Sequence, residues 1–345
     1  MKYTTLPNTD IKVSKICLGT MTFGQQNSEA EGHAQMDYAF ENGVNFFDTA
    51  EMYSVPASKE TYGSTEKIIG TWFKKSGKRE EVVLASKIAG PNPNFTYMRD
   101  TIDFSPASLK YALDNSLQRL QTEYLDIYQL HWPERKNNCF GQRGFKVQDD
   151  SWQDNIHQVL ETLDGFVKEG KIKHIGVSNE NPWGIMRFLE ESKYHNLPRI
   201  KTVQNPYSLL NRLFEVGTSE VCTRENVGLL AYSPLAFGVL TGKFLTGESH
   251  PNARIKLFPQ YTRYNSEQCT QAAHLYNEIA KQNGLSLTQL SLAFVAHQSF
   301  VTSSIIGATS IEQLKENIDT IQVSLSEEII EQINKVQAII PDPAP

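Results

Sequence analysis

The sequence predicts a closed (β/α)8 barrel, and three observations lead to it. Eight apolar runs of strand length alternate with longer stretches of helical period, as repeated βα units require. The runs are almost continuously apolar, which suits parallel strands covered on both faces. No G-x-G-x-x-G follows the first of them, which weakens the open doubly wound alternative.

The chain begins with KYTTL and IKV on either side of PNTD, a short hairpin expected to cap the barrel floor. Barrel strands are expected at residues 15–19, 45–49, 82–86, 125–131, 172–178, 201–205, 227–233 and 303–307. Helices are expected in SEAEGHAQMDYAFENG, STEKIIGTWFKKSG, SPASLKYALDNSLQRL, DNIHQVLETLDGFVKEGK, NPWGIMRFLEESKYH and SIEQLKENID. Several open on Ser, Asp or Asn and close near Gly, the chemistry of helix caps. SLSEEIIEQINKVQAII reads as an extra helix entered through Ser326, stopped by PDPAP and packed outside the barrel. The expected organisation is one domain over 1–345.

Three stretches, near 90–104, 134–152 and 234–265, exceed the minimal repeat. All follow strands, on the side where a barrel's pocket lies, so they read as lids over it, with disorder the other reading for the Gly- and Asn-containing middle one.

The net charge is −6 with basic residues dispersed, which argues against nucleic-acid and membrane-surface partners. The amino terminus lacks the apolar core of a signal peptide and no run of about 18 apolar residues follows, so a cytoplasmic protein is expected. Cys17, Cys139, Cys222 and Cys269 are far apart and read as free thiols. His33, His157, His174, His195, His250, His274 and His297 form no H-x-x-x-H pair, so no metal is expected. Nothing marks an oligomer interface.

The chemistry is concentrated at strand ends. Asp48, Tyr53, Lys87 and His131 close the runs NFFDTAEMY, VVLASK and LDIYQLHWP, bringing a carboxylate, a phenol, an ammonium and an imidazole to the pocket side. A phenol titrating near pH 10 is a weak acid at neutral pH, and a neighbouring ammonium is expected to lower its pKa. In this reading Tyr53 donates the proton, Asp48 keeps Lys87 charged and placed, and His131 orients the substrate oxygen. Trp132, Tyr207, Phe237, Phe95 and Trp152 are candidate apolar walls, with core packing an equal reading for Phe95 and Trp152.

The segments LGTMTFG, NFFDTAEMY, LASK, LDIYQLHWP, IGVSN, QNPYSLLNR, LAYSPLAFGVLTGKF and SIIGATSIEQLKENI together resemble the aldo-keto reductases, over nearly the whole chain. MTFGQQNSEA, HWPERKNNCFG and QNPYSLLNRLFEVG suggest the bacterial Tas-like branch, with the potassium-channel β subunits more distant. The resemblance implies NADPH-dependent reduction of a small-molecule aldehyde or ketone, with Tyr53 as general acid. It implies that Thr20 and Met21 flank the nicotinamide side, that Ser178, Asn179 and Gln204 hold the carboxamide, and that Tyr232 stacks on the ring. The pyrophosphate would follow Ser233, Pro234, Leu235, Ala236 and Phe237 with Lys243 nearby. The adenosine end would meet Gly307, Thr309, Gln313, Glu316 and Asn317, where GATS opens a helix.

Many members have Arg where Gln313 stands. Lys243 and Arg254 match the cations that assist in the channel branch, which keeps NADPH as the expectation. Two other readings stay open: a redox-sensing module that binds NADPH with little turnover, and a hydrolase or isomerase in which Glu51 or Glu134 partners Asp48.

Overall fold

The computed structural model describes residues 1–146 and 151–345. Its centre is a closed barrel of eight parallel strands: β3 (Ile16–Gly19), β4 (Phe46–Asp48), β5 (Val83–Ile88), β6 (Leu125–Leu130), β7 (Ile172–Ser178), β8 (Ile200–Pro206), β9 (Gly228–Tyr232) and β10 (Val301–Ile306). They pair in chain order and β10 closes on β3. Each expected strand is present, with small shifts at its ends. The hairpin ahead of them is β1 (Tyr3–Thr5) against β2 (Lys12–Ser14), antiparallel.

Period-two alternation divides the barrel interior into a floor and a mouth. Phe46, Val83, Ala85, Ile127 and Leu230 pack with Cys17 and Ile305 around the axis, and the hairpin plugs this floor with Leu6 and Val13. One or two steps further along the same inward rows stand Asp48 after Phe46, Lys87 after Ala85, and Gln129 then His131 after Ile127. The pattern that buries the floor therefore also delivers the polar side chains to the mouth. A larger apolar core lies between the strands and the surrounding helices.

Helices α1 (Glu29–Glu41), α2 (Ser64–Ser76), α3 (Pro106–Leu120), α4 (Ile156–Lys168), α5 (Pro182–His195) and α6 (Thr218–Glu225) connect successive strands. Between β9 and β10 come α7 (Arg254–Leu257), α8 (Glu267–Gln282) and α9 (Leu287–His297), and after β10 come α10 (Ile311–Asp319) and α11 (Glu327–Ile339). The sequence reading names no helix at 267–297. The structure has two there, α9 beside β10 and α8 outside it against α11. Leu287–His297 is apolar around most of its circumference, so helical periodicity is faint, as in any helix buried on several sides.

Local chemistry sets the helix starts. Ser28, Ser105, Asn181, Ser266, Ser286, Ser310 and Ser326 each accept a hydrogen bond from a backbone N–H in the first turn. At α9 the cap is reciprocal: Ser286 Oγ accepts from Gln289 N at 3.1 Å, and Gln289 Oε1 accepts from Ser286 N at 2.9 Å. Ser286→Ala is expected to cost about 1 kcal/mol in urea unfolding, the usual worth of such a cap.

Among the described residues, no helix is long and apolar enough to cross a membrane.

Candidate active site

Strand register brings four polar side chains to one level of the barrel mouth. Lys87 sits beside Gln129 across β5 and β6, and Ser178 beside Gln204 across β7 and β8. Lys87 Nζ donates to Asp48 Oδ2 at 2.6 Å and to the Thr49 carbonyl at 2.8 Å, with both side chains buried. The other Asp48 oxygen accepts from Gln204 Nε2 at 2.8 Å and Gln129 Nε2 at 3.2 Å. A charge pair taken out of water survives only when its remaining hydrogen-bonding capacity is met, and the two amides and the Thr49 carbonyl meet it here.

Tyr53, from the loop after β4, stands over this pair. Its ring centre is 5.0 Å from Lys87 Nζ and 5.7 Å from the His131 ring, edge to face. All four sequence-predicted residues are thus together. Burial opposes the charge on Lys87, but Asp48 and Tyr53 outweigh it and hold the pKa above its ordinary value. Burial, then the Lys87 charge, pushes His131 well below the usual imidazole range, so the ring is neutral at pH 7. Its Nδ1 is buried and has no hydrogen-bond partner among the described residues.

The electrostatics of Tyr53 correct the sequence expectation. Burial has the largest effect and raises the phenol pKa; Lys87 lowers it, Asp48 raises it, and the net direction is upward. The ammonium pulls as anticipated, but its charge is compensated by a carboxylate at 2.6 Å, so the pull falls short of the desolvation cost of a phenolate. Tyr53 is therefore a firmly protonated acid.

Residues assigned to cofactor binding line the same mouth, several of them already engaged. Thr20 Oγ1 donates to the Asp48 carbonyl at 2.8 Å, and the Met21 carbonyl accepts from Val55 N. Ser178 Oγ donates to the Gln204 carbonyl, and Asn179 Nδ2 to the His131 carbonyl, both at 2.8 Å. Tyr232 OH donates to Asn179 Oδ1 at 2.7 Å. The amide nitrogen of Gln204 faces Asp48 and Gln129, so its clearest role is to hold the carboxylate.

After β9 the chain runs Ser233, Pro234, Leu235, Ala236, Phe237 and Gly238, with Ser233, Ala236 and Phe237 in the left-handed region at φ 54°, 48° and 54°. Non-glycine residues rarely adopt that conformation, and such segments cluster at ligand-binding loops. Gly238, at φ 92°, leaves room for the next cation: a Cβ there would lie 3.0 Å from Lys243 Nζ. Arg254 lies over the Phe237 ring, 5.2 Å from its centre, and reaches Met21 Sδ at 3.8 Å. Burial lowers the pKa of both cations, and Arg254 lowers that of Lys243 further. Among the described residues neither forms an ion pair with a carboxylate. Two desolvated, mutually repelling cations beside a left-handed loop fit a phosphate-bearing ligand.

At the far end, Ser310 caps α10 as the sequence suggests. Gln313 Oε1 accepts from Thr309 N at 3.0 Å, Glu316 Oε1 from Ser286 Oγ at 2.7 Å, and Asn317 Nδ2 donates to the Gly307 carbonyl at 3.3 Å. Gln313 and Glu316 remain exposed at the surface while Asn317 is buried.

The wall residues divide. Trp132 and Phe95 pack edge to face at 6.0 Å next to His131, and Phe237 lies with Tyr261 and Tyr264. Tyr207 is a core residue, fully buried against Phe294 and Phe300 with its hydroxyl on Glu215. Trp152 pairs with Trp183 and Asn155 on the outer helices. Aromatic character alone does not distinguish a pocket wall from core packing.

Of the 134–152 stretch, residues 147–150 lie outside the described residues. The rest folds against the mouth: Arg135 pairs with Glu180, Asn137 Nδ2 donates to the Asn179 carbonyl, Phe140 meets Trp132 at 6.0 Å, and Arg143 donates to the Asp342 carbonyl. With Arg263 and Pro345 it lines an open cleft of about 490 Å³ beside Asn179.

Sequence reasoning missed Gln129, although it stands two residues before His131 on the same inward row. It also missed the Arg99 partner of Glu51: Arg99 Nη1 donates to Glu51 Oε1 at 2.8 Å, and the same oxygen accepts from Ala89 N at 2.7 Å. Glu134 is likewise engaged, with Phe104 N and Asn155 Nδ2 at 2.7 Å each. The two carboxylates that a hydrolase would need are thus held in structural contacts.

Residues 15–338 match the profile of the Aldo/keto reductase family. Protein tas of Escherichia coli is 48% identical over 346 aligned positions covering both chains entirely. An uncharacterized oxidoreductase, YrpG, of Bacillus subtilis is 33% identical over 97% of this chain and 96% of its own. Norsolorinic acid reductase B of Dothistroma septosporum is 26% identical over 95% of this chain and 79% of its own.

Proposed function

The chain belongs to the aldo/keto reductase family, and from that premise we propose that this oxidoreductase reduces an aldehyde or ketone to the alcohol with NADPH, as a single domain over residues 1–345. The observation that carries the proposal is the buried Asp48–Lys87 pair beneath a protonated Tyr53 and a neutral His131. NADPH, when bound, supplies the hydride. Lys243, Arg254 and the loop from Ser233 to Phe237 are the residues suited to its phosphates, and Asn179 and Tyr232 border the place for its reactive ring.

The chain's own part is proton delivery and orientation. A carbonyl oxygen between Tyr53 and His131 would take its proton from the phenol as negative charge builds on it. Lys87 stabilises the phenolate left behind, and Asp48, held by Gln129 and Gln204, fixes Lys87 in place. His131, being neutral, can hydrogen-bond the oxygen without adding a second positive charge beside Lys87. Trp132 and Phe95 offer an apolar wall on the His131 side.

Fluorescence titration with NADPH, followed by a nitrobenzaldehyde with absorbance read at 340 nm, tests this directly. Saturable binding with turnover is the expected result. Binding without turnover on a panel of carbonyls would favour the redox-sensing alternative, and absence of binding would overturn the cofactor assignment. Lys243→Ala and Arg254→Ala are each expected to weaken NADPH binding roughly 10- to 100-fold, the worth of a charge-assisted hydrogen bond, with less effect on NADH. Equal losses for both nucleotides would place these cations on the pyrophosphate beside the loop from Ser233 to Phe237 and not on the 2′-phosphate.

A further inference from the structure

Outside the barrel, α4 and α5 bring together three side chains that lie far apart in the sequence. Glu191 and His195 stand one turn apart on α5, and His157, in the first turn of α4, packs against them. His157 Nδ1 lies 3.2 Å from Glu191 Oε2, and His195 Nε2 lies 3.3 Å from the same oxygen. The imidazole rings meet edge to face at 4.3 Å. All three ligand atoms fall within 4.8 Å of one another, the only such set of His, Cys, Asp or Glu found among the described residues. We propose that His157, Glu191 and His195 form a site for a borderline divalent transition metal of the Zn²⁺ class, which clips α4 to α5.

Four features suit this cluster to a metal ion. Ligands bound tetrahedrally to zinc at about 2.0–2.1 Å stand about 3.3 Å apart, the spacing of both imidazole nitrogens from the carboxylate oxygen. The remaining imidazole–imidazole pair lies within 4.8 Å and has to close on metal binding, for which the His195 ring, half of it exposed, has room. The other nitrogen of His157 faces Glu161 Oε1 at 3.4 Å, the outer carboxylate that commonly orients a metal-bound histidine. The second oxygen of Glu191 is held by Arg187 Nη2 at 2.7 Å, which turns Oε2 toward the two imidazoles.

Two imidazoles and one carboxylate suit zinc, copper or nickel and not the all-oxygen preference of Mg²⁺ or Ca²⁺. Exposure of both rings leaves a fourth position for water and a path for entry. The sequence expectation of no metal rested on linear spacing, whereas these ligands come from two helices.

The test uses full-length protein stripped with EDTA and titrated with ZnCl₂ by calorimetry, with MgCl₂ in parallel and melting curves at each endpoint. One zinc equivalent that raises Tm, absent from both His157→Ala and His195→Ala and not reproduced by magnesium, is expected. Melting of the stripped variants reports that they are folded, and their carbonyl turnover should match the parent, since neither residue is near the barrel mouth. Zinc stoichiometry unchanged in both folded variants, or no zinc-dependent heat in the parent, would overturn the site.

Discussion

Tyr53→Phe is expected to lower carbonyl turnover by roughly 10²- to 10⁴-fold, the usual worth of a positioned general acid, while NADPH affinity stays unchanged. The ring keeps its edge-to-face contact with His131 and its place above Lys87, so only the transferable proton is lost. A variant that loses both turnover and NADPH binding would mean that the phenol shapes the pocket and does not supply the proton. The pH dependence gives a second check. Because burial and Asp48 hold the Tyr53 pKa above its ordinary value near 10, the acid form persists through the neutral and mildly alkaline range. Reduction should therefore be insensitive to Tyr53 titration below about pH 10 and decline above it. Alcohol oxidation needs the phenolate and should rise with pH over the same range. A reduction profile falling between pH 7 and 8 would point to another acid.

Lys87→Met is expected to destabilise the fold strongly, costing roughly 3–5 kcal/mol in urea unfolding. Lys87 and Asp48 are both buried, and removing the ammonium leaves the carboxylate with only the Gln129 and Gln204 amides for support. Desolvation of the unpaired charge dominates the cost, so the double variant Lys87→Met/Asp48→Asn should recover much of it. Neither variant should turn over carbonyl substrates. A Lys87→Met protein as stable as the parent would show that water reaches this pair in solution, contrary to its complete enclosure here.

The sequence made the barrel legible because parallel strands covered on both faces are nearly unbroken apolar runs, and all eight are present at about the expected places. Capping chemistry likewise marked helix starts at Ser28, Ser105, Asn181 and Ser310, where a side chain and its backbone target lie within four residues. Helix α9 escaped notice because burial on several sides removes the amphipathic signal.

Asp48, Tyr53, Lys87 and His131 could be named as a set because each stands at or just beyond the mouth end of a strand, and the barrel converges those ends. What the amino-acid order alone determined was this convergence, since alternation and strand length are local properties. Tertiary structure decided what burial and cross-strand contact control: that desolvation raises the Tyr53 pKa, that Gln129 and Gln204 steady Asp48, that Tyr207 belongs to the core, and that Glu51 answers to Arg99. It also joined His157 to His195 across two helices. The energy of a charge, a phenol or an imidazole depends on which distant residues exclude water from it, and that is settled only when the chain closes.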